Sequence, residues 1–179
     1  MRKRLPNELL SLKNDIVFQE MFGKAKNGEI TKHLISLILG REVSDIDLDV
    51  NKRMLGDKKT AKVGELDIRA KFENGEDCNI ELQVAPYEQI EKRLLSYWSM
   101  MYRDKIEQGD AYTELKPSIC ILIADFNLKA LKGINEYHTV WNLREKRNNN
   151  KILSHDIEMH ILEIPKIKEN EILEDELAL

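Results

Sequence analysis

Two short alternating segments joined by an Asn-Gly turn constrain this chain more than any other feature. Gly64-Glu65-Leu66-Asp67-Ile68-Arg69-Ala70 and Asn79-Ile80-Glu81-Leu82-Gln83 flank Glu73-Asn74-Gly75-Glu76, and Asn-Gly in that setting is the strongest short-range signal for a β-hairpin. Strands are expected at about 63–72 and 77–84. Side chains alternate across a strand, so Leu66 and Ile68 share one face while Glu65, Asp67 and Arg69 share the other. In the partner strand Ile80 and Leu82 lie on one face, with Asn79, Glu81 and Gln83 opposite. If both apolar faces turn to the core, Asp67 and Glu81 converge, and Gln83 follows two residues along. Two carboxylates beside an amide make an oxygen-rich site suited to Mg²⁺, a hard cation. The same pattern also describes a hairpin whose outer face is simply solvated, because facing like charges at a surface cost little.

The flanking segments set the fold class. Asp15 to Phe22 carries a helical pattern, with Asn14 as a candidate N-cap and Gly23 as its stop. Residues 29–39 repeat apolar side chains at helical spacing before Gly40, and 45–50 alternate strictly as a strand. Residues 53–62 are polar and read as a loop. After Pro86 a long helix is expected from Tyr87 to Gln108, with Ile90, Leu94, Tyr97 and Met101 on its apolar face. Arg93 and Tyr97 stand four residues apart and share a face of that helix. The continuous apolar run Ile119-Cys120-Ile121-Leu122-Ile123-Ala124 then predicts a strand buried on both faces. Two more strands, 136–143 and 157–164, flank a polar loop. Helices interleaved with these strands give an α/β (α+β) domain, a mixed sheet with helices on both faces.

Composition narrows the function classes. At 179 residues the chain fits a single domain with a sizeable core. No apolar run approaches the roughly 20 residues that span a bilayer, and no h-region follows the basic start, so a cytoplasmic protein without membrane contact is expected. Cys78 and Cys120 lack metal-ligand spacing and read as reduced strand residues, and the four histidines form no H-x-x-x-H pair. A net charge of −4 argues against coating nucleic acid nonspecifically. Lysines and arginines nevertheless cluster beside the first hairpin strand, at Lys52, Arg53, Lys58, Lys59 and Lys62, and again at Arg144, Lys146 and Arg147. Each cluster fits a DNA-facing groove or a solvated loop.

Several segments, in order along the chain, resemble the PD-(D/E)XK nuclease superfamily, and within it the Rpn-type recombination-promoting nuclease and transposase family. They are Lys13-Asn14-Asp15-Ile16-Val17-Phe18, Glu65-Leu66-Asp67-Ile68, Asn79-Ile80-Glu81-Leu82-Gln83, Arg93-Leu94-Leu95-Ser96-Tyr97-Trp98, Gln108-Gly109-Asp110 and Ile157-Glu158-Met159-His160. The resemblance implies a restriction-endonuclease-like core over residues 1–165. An acidic tail would follow at 166–179, either a short docked helix or the start of something further. It implies Mg²⁺ (or Mn²⁺) held by Asp67, Glu81 and the Leu82 carbonyl, with Gln83 in the place of the superfamily's catalytic lysine. Asp15 would be an accessory acid or a helix cap. Arg93 and Tyr97 would contact phosphate or support Glu81 and Gln83, or else pair and pack structurally. The implied activity is metal-dependent hydrolysis of DNA phosphodiester bonds that promotes recombination, and a homodimer is compatible with it. Two departures stand out: Leu66 replaces the motif's proline, and Gln83 cannot supply the charge of a lysine. The second motivates an alternative, a weak or inactive nuclease-like module that binds DNA or a partner chain. An RNase H-like transposase is a poorer fit, since no third well-placed acid is evident.

Overall fold

A computed structural model describes residues 15–50, 53–54, 64–65 and 68–167, without the side chains of 15, 49–50, 53–54 and 64–65. In chain order they form α1 (Asp15–Phe22), α2 (Gly28–Leu39), β1 (Ile46–Val50), β2 (Arg53–Met54), β3 (Gly64–Glu65), β4 (Ile68–Phe72), β5 (Asp77–Gln83), α3 (Ile90–Arg103), β6 (Ser118–Ala124), β7 (His138–Arg144) and β8 (Ile152–Glu163).

The expected hairpin is β4–β5, antiparallel, with Ile68 opposite Ile80 and Arg69 opposite Asn79. Its turn is built by the residues that announced it. The Asn74 side chain accepts from the Glu76 N–H at 3.0 Å, and Gly75 takes φ +86° while its N–H bonds the Phe72 carbonyl at 2.9 Å. A Cβ on Gly75 would also stand 3.1 Å from Lys116 Cγ. Gly75→Ala is therefore expected to cost about 1–2 kcal/mol, the toll of a left-handed backbone plus crowding. A urea titration should show a lower midpoint with an unchanged slope.

A six-stranded sheet runs in the order β1-β4-β5-β6-β8-β7. β1, β4 and β5 pair antiparallel, β5, β6 and β8 pair parallel, and β7 closes the far edge antiparallel to β8. β6, the apolar run, lies inside the sheet, with Ile119 to Leu122 at most 2% exposed. Such a strand has hydrophobic side chains on both faces because both are covered. On one face Ile119 and Ile121 join Cys78, Ile80 and Leu82 against Phe18, Ile35 and Ile38 of α1 and α2. On the other, Cys120, Leu122 and Ala124 pack against Ile90, Leu94, Tyr97 and Met101 of α3. α2 ends where expected, on Gly40 at φ +64°.

Three expectations change. The long helix is shorter than its apolar stripe, because Gln89 adopts φ +65° and caps α3 at Ile90, and the helix stops at Arg103. Chain past Arg103 is used otherwise: the Lys105 ammonium crosses to the carbonyls of Lys116 (3.0 Å) and Pro117 (2.6 Å). Of the expected first hairpin strand, Ile68–Phe72 pairs with β5, while Gly64–Glu65 pairs with Arg53–Met54 in a separate two-stranded ribbon, and residues 63, 66 and 67 lie outside the described residues. That ribbon also places the start of the presumed loop 53–62 in a strand. Asn14, as N-cap, and the tail from residue 168 lie outside the described residues.

Candidate active site

Parity places the polar side chains of β5 on one face, and the structure shows what covers it. Asn79 and Glu81 register with Cys120 and Leu122 of β6, on the side that packs against α3. The solvated outer face is thereby excluded: Asp77 is 5% exposed, and Asn79 and Glu81 are 0%. A carboxylate so fully removed from water is expensive unless neighbours compensate it. α3 supplies the compensation. Arg93 Nη2 lies 2.7 Å from Glu81 Oε1, and the same oxygen accepts from Gln83 Nε2 at 3.0 Å. Arg93 is itself held, donating through Nε to the Tyr97 hydroxyl at 2.8 Å. The rings of Tyr87 and Tyr97 lie 5.4 Å and 5.3 Å from its guanidinium carbon, within cation–π range. The i, i+4 spacing of Arg93 and Tyr97 thus has a contact behind it, and Tyr97 is also core at 5% exposure.

Four of the sequence-derived site residues come together in this way: Glu81, Gln83, Arg93 and Tyr97. Leu82 turns its side chain into the opposite core. Asp15 is the first residue of α1, with its side chain outside the described ones. Asp67, Lys52, Lys58, Lys59 and Lys62 lie outside the described residues, and of Arg53 only the backbone in β2 is described. The Arg144–Arg147 cluster is not at the site. It caps the β7–β8 hairpin, whereas Glu81 is level with Leu122 and, through it, with Ile161 near the end of β8. That separation is about 30 Å along the strands.

The site occupies the carboxyl end of β5, beside the end of β6, where the Asp125 N–H bonds the Gln83 carbonyl at 2.9 Å. Open sheets with parallel strands bind ligands at this end. The donor set fits a hard divalent cation: a buried carboxylate, a side-chain amide and a backbone carbonyl. Among the described residues no cluster of three or more His, Cys, Asp or Glu is arranged to hold a metal.

Two polar assemblies went unseen in the sequence. Below Glu81 on the same face, Arg69 (3% exposed) bonds Asp77 through Nε at 3.0 Å and again through Nη2, and Lys105 approaches Asp77 Oδ1 at 3.8 Å. Burial depresses the Lys105 pKa, and Asp77 works against that shift. On the opposite face, Glu158, His160 and His138 form a chain. Glu158 Oε1 meets His160 Nε2 at 2.9 Å, and His160 Nδ1 meets His138 Nε2 at 2.9 Å. The hydrogen bond from His160 lowers the Glu158 pKa, while burial and then His160 lower that of His138. This chain accounts for Glu158-Met159-His160 as a pin between β7 and β8. Its histidines are too far apart in sequence for any spacing rule to join them. Cys78 and Cys120 are buried free thiols, and burial raises both pKa values.

A family model for PD-(D/E)XK nuclease family transposases matches residues 12–178. The mixed six-stranded sheet flanked by helices agrees with the restriction-endonuclease-like α/β fold of that group. No curated protein and no solved structure matches the chain. No helix among the described residues is long and apolar enough to cross a membrane.

Proposed function

The chain belongs to the PD-(D/E)XK nuclease family transposases, and on that premise we propose that it is a metal-dependent endonuclease that cuts DNA and thereby promotes recombination. The observation that carries this reading is the buried Glu81 carboxylate at the carboxyl end of β5, bonded at once by Gln83 and Arg93. A carboxylate kept dry at that cost, at the open end of a parallel strand pair, has the character of a functional group.

Glu81, Asp67 and the Leu82 carbonyl are the groups we assign to hold Mg²⁺ or Mn²⁺. Asp67 is supported through its neighbour, because Ile68 pairs with Ile80, the residue before Glu81. When bound, the ion supplies Lewis-acid stabilisation of the phosphoryl charge and an acidified water. The chain's own residues do the rest. Gln83 orients the attacking water through its amide, and its bond to Glu81 fixes the side chain that must do so. The positive charge that a lysine would bring is assigned instead to Arg93, which Tyr97 holds and whose guanidinium suits a phosphate oxygen. Asp15 is an accessory acid, and Lys52, Arg53, Lys58, Lys59 and Lys62 are assigned to the DNA backbone.

Nicking of supercoiled plasmid in Mg²⁺, with Asp67→Ala and EDTA as controls, tests the reading. Cleavage that disappears in both controls supports it. A folded protein inert in Mg²⁺ and Mn²⁺ overturns it and leaves a binding module. Gln83→Ala is expected to slow cleavage by about 10²-fold, the usual weight of one group that positions a reactant, without abolishing it. Single-turnover rates measure that loss directly.

A further inference from the structure

The segment between the site strand and its covering helix carries an aromatic ring that the cutting chemistry does not need. Residues 84–89 are all exposed, and Tyr87 among them keeps half of its surface (50%) in water. The ring is nonetheless placed. It lies against the Arg93 guanidinium at 5.4 Å, and that guanidinium contacts Glu81 at 2.7 Å. The segment is stiffened at both ends of the turn. Pro86 fixes its own φ and disfavours a helical backbone at Ala85, and Gln89 is the only described residue other than glycine at positive φ. A strained backbone at a candidate site motivates a functional reading.

From this placement, and resting on the proposed nuclease reading, we infer that Tyr87 is a stacking platform for an unpaired base beside the scissile phosphate. The preferred substrate is then DNA with a splayed or single-stranded arm, over continuous duplex. With a phosphate at Glu81 and Arg93, the adjoining base comes within reach of the Tyr87 ring. Inside a duplex both faces of that base are already stacked, whereas an unpaired base has a face to offer. Stacking tolerates any sequence. It also suits a chain of net charge −4, in which general attraction to phosphate is weak. Arg93 stiffens the platform and polarises it from behind.

Fluorescence anisotropy decides the matter, with Ca²⁺ replacing Mg²⁺ and two labelled probes, a plain duplex and the same duplex with one single-stranded arm. Wild type is expected to bind the armed probe more tightly. Tyr87→Ala should lower the ratio of armed to duplex affinity about tenfold, and Tyr87→Trp should keep it. An equal loss on both probes in Tyr87→Ala overturns the inference, because the ring would then serve only to seat Arg93. Duplex binding without preference in the wild type overturns it too, leaving the nuclease reading untouched. Failure of the wild type to bind either probe overturns both.

Discussion

Glu81→Gln is expected to cut Mg²⁺-supported cleavage by at least about 10³-fold while leaving thermal stability unchanged or raised. The two halves of that result have one cause. Glu81 is fully buried, and an ionised group in that setting bears a desolvation cost that Arg93 and Gln83 offset only in part. An isosteric amide removes the charge, keeps the volume and can still accept from Gln83. Arg93, 28% exposed and held by the Tyr97 hydroxyl and by the rings of Tyr87 and Tyr97, retains other partners and access to water. The fold therefore loses little. The proposed chemistry loses the carboxylate assigned to the metal, and a thousandfold in rate corresponds to about 4 kcal/mol of transition-state stabilisation, within the range of a bound divalent ion. Plasmid nicking and a melting curve on the same sample check the pair of outcomes. A variant that melts well below wild type would mean that Glu81 is chiefly structural.

Asp77→Ala should do the reverse, destabilising strongly without touching the reacting groups. Asp77 sits at the opposite end of β5 from Gln83, bonded by the buried Arg69 guanidinium and approached by Lys105. Removing one partner of a buried ion pair costs about 3–5 kcal/mol, because the other charge keeps its desolvation penalty. Urea unfolding should show a midpoint shift of that order. Replacing Arg69 by leucine and Asp77 by valine together should recover much of it, since an apolar pair of similar total volume carries no such penalty. A double mutant no better than the single would place the stabilisation in contacts of Arg69 beyond this pair.

How much of this was legible in the sequence differs element by element. Asn74 and Gly75 announced their turn because a type of backbone bend restricts residue identity locally. The apolar run of β6 announced a doubly covered strand for a similar reason, since each of its side chains must find apolar company. Parity put Asn79, Glu81 and Gln83 on one face, yet parity says nothing about what lies over that face. The answer, α3, was written in Arg93 and Tyr97, whose spacing gave a shared helix face but not its target. Helix ends were misjudged where a single residue overrode the pattern: apolar periodicity runs past Gln89, whose left-handed backbone no propensity rule foresees. The Glu158–His160–His138 chain and the Arg69–Asp77–Lys105 cluster depend on strands or loops meeting across the sheet, and such meetings leave no periodic trace.

The parallel centre of the sheet carries a consequence for synthesis. Glu81 leaves the ribosome well before the strands that wall it in, for β6 begins at Ser118 and β8 at Ile152. Parallel neighbours distant in sequence assemble late, after the entropy of closing the intervening chain has been met. Until β6 and β8 dock, Glu81 is an ordinary hydrated acid on a lone hairpin, and Arg93 has no dry pocket in which to grip it. A half-made chain thus holds the groups assigned to cutting but not their arrangement. The assigned arrangement is complete only when the last strands dock, so the order of synthesis itself delays it.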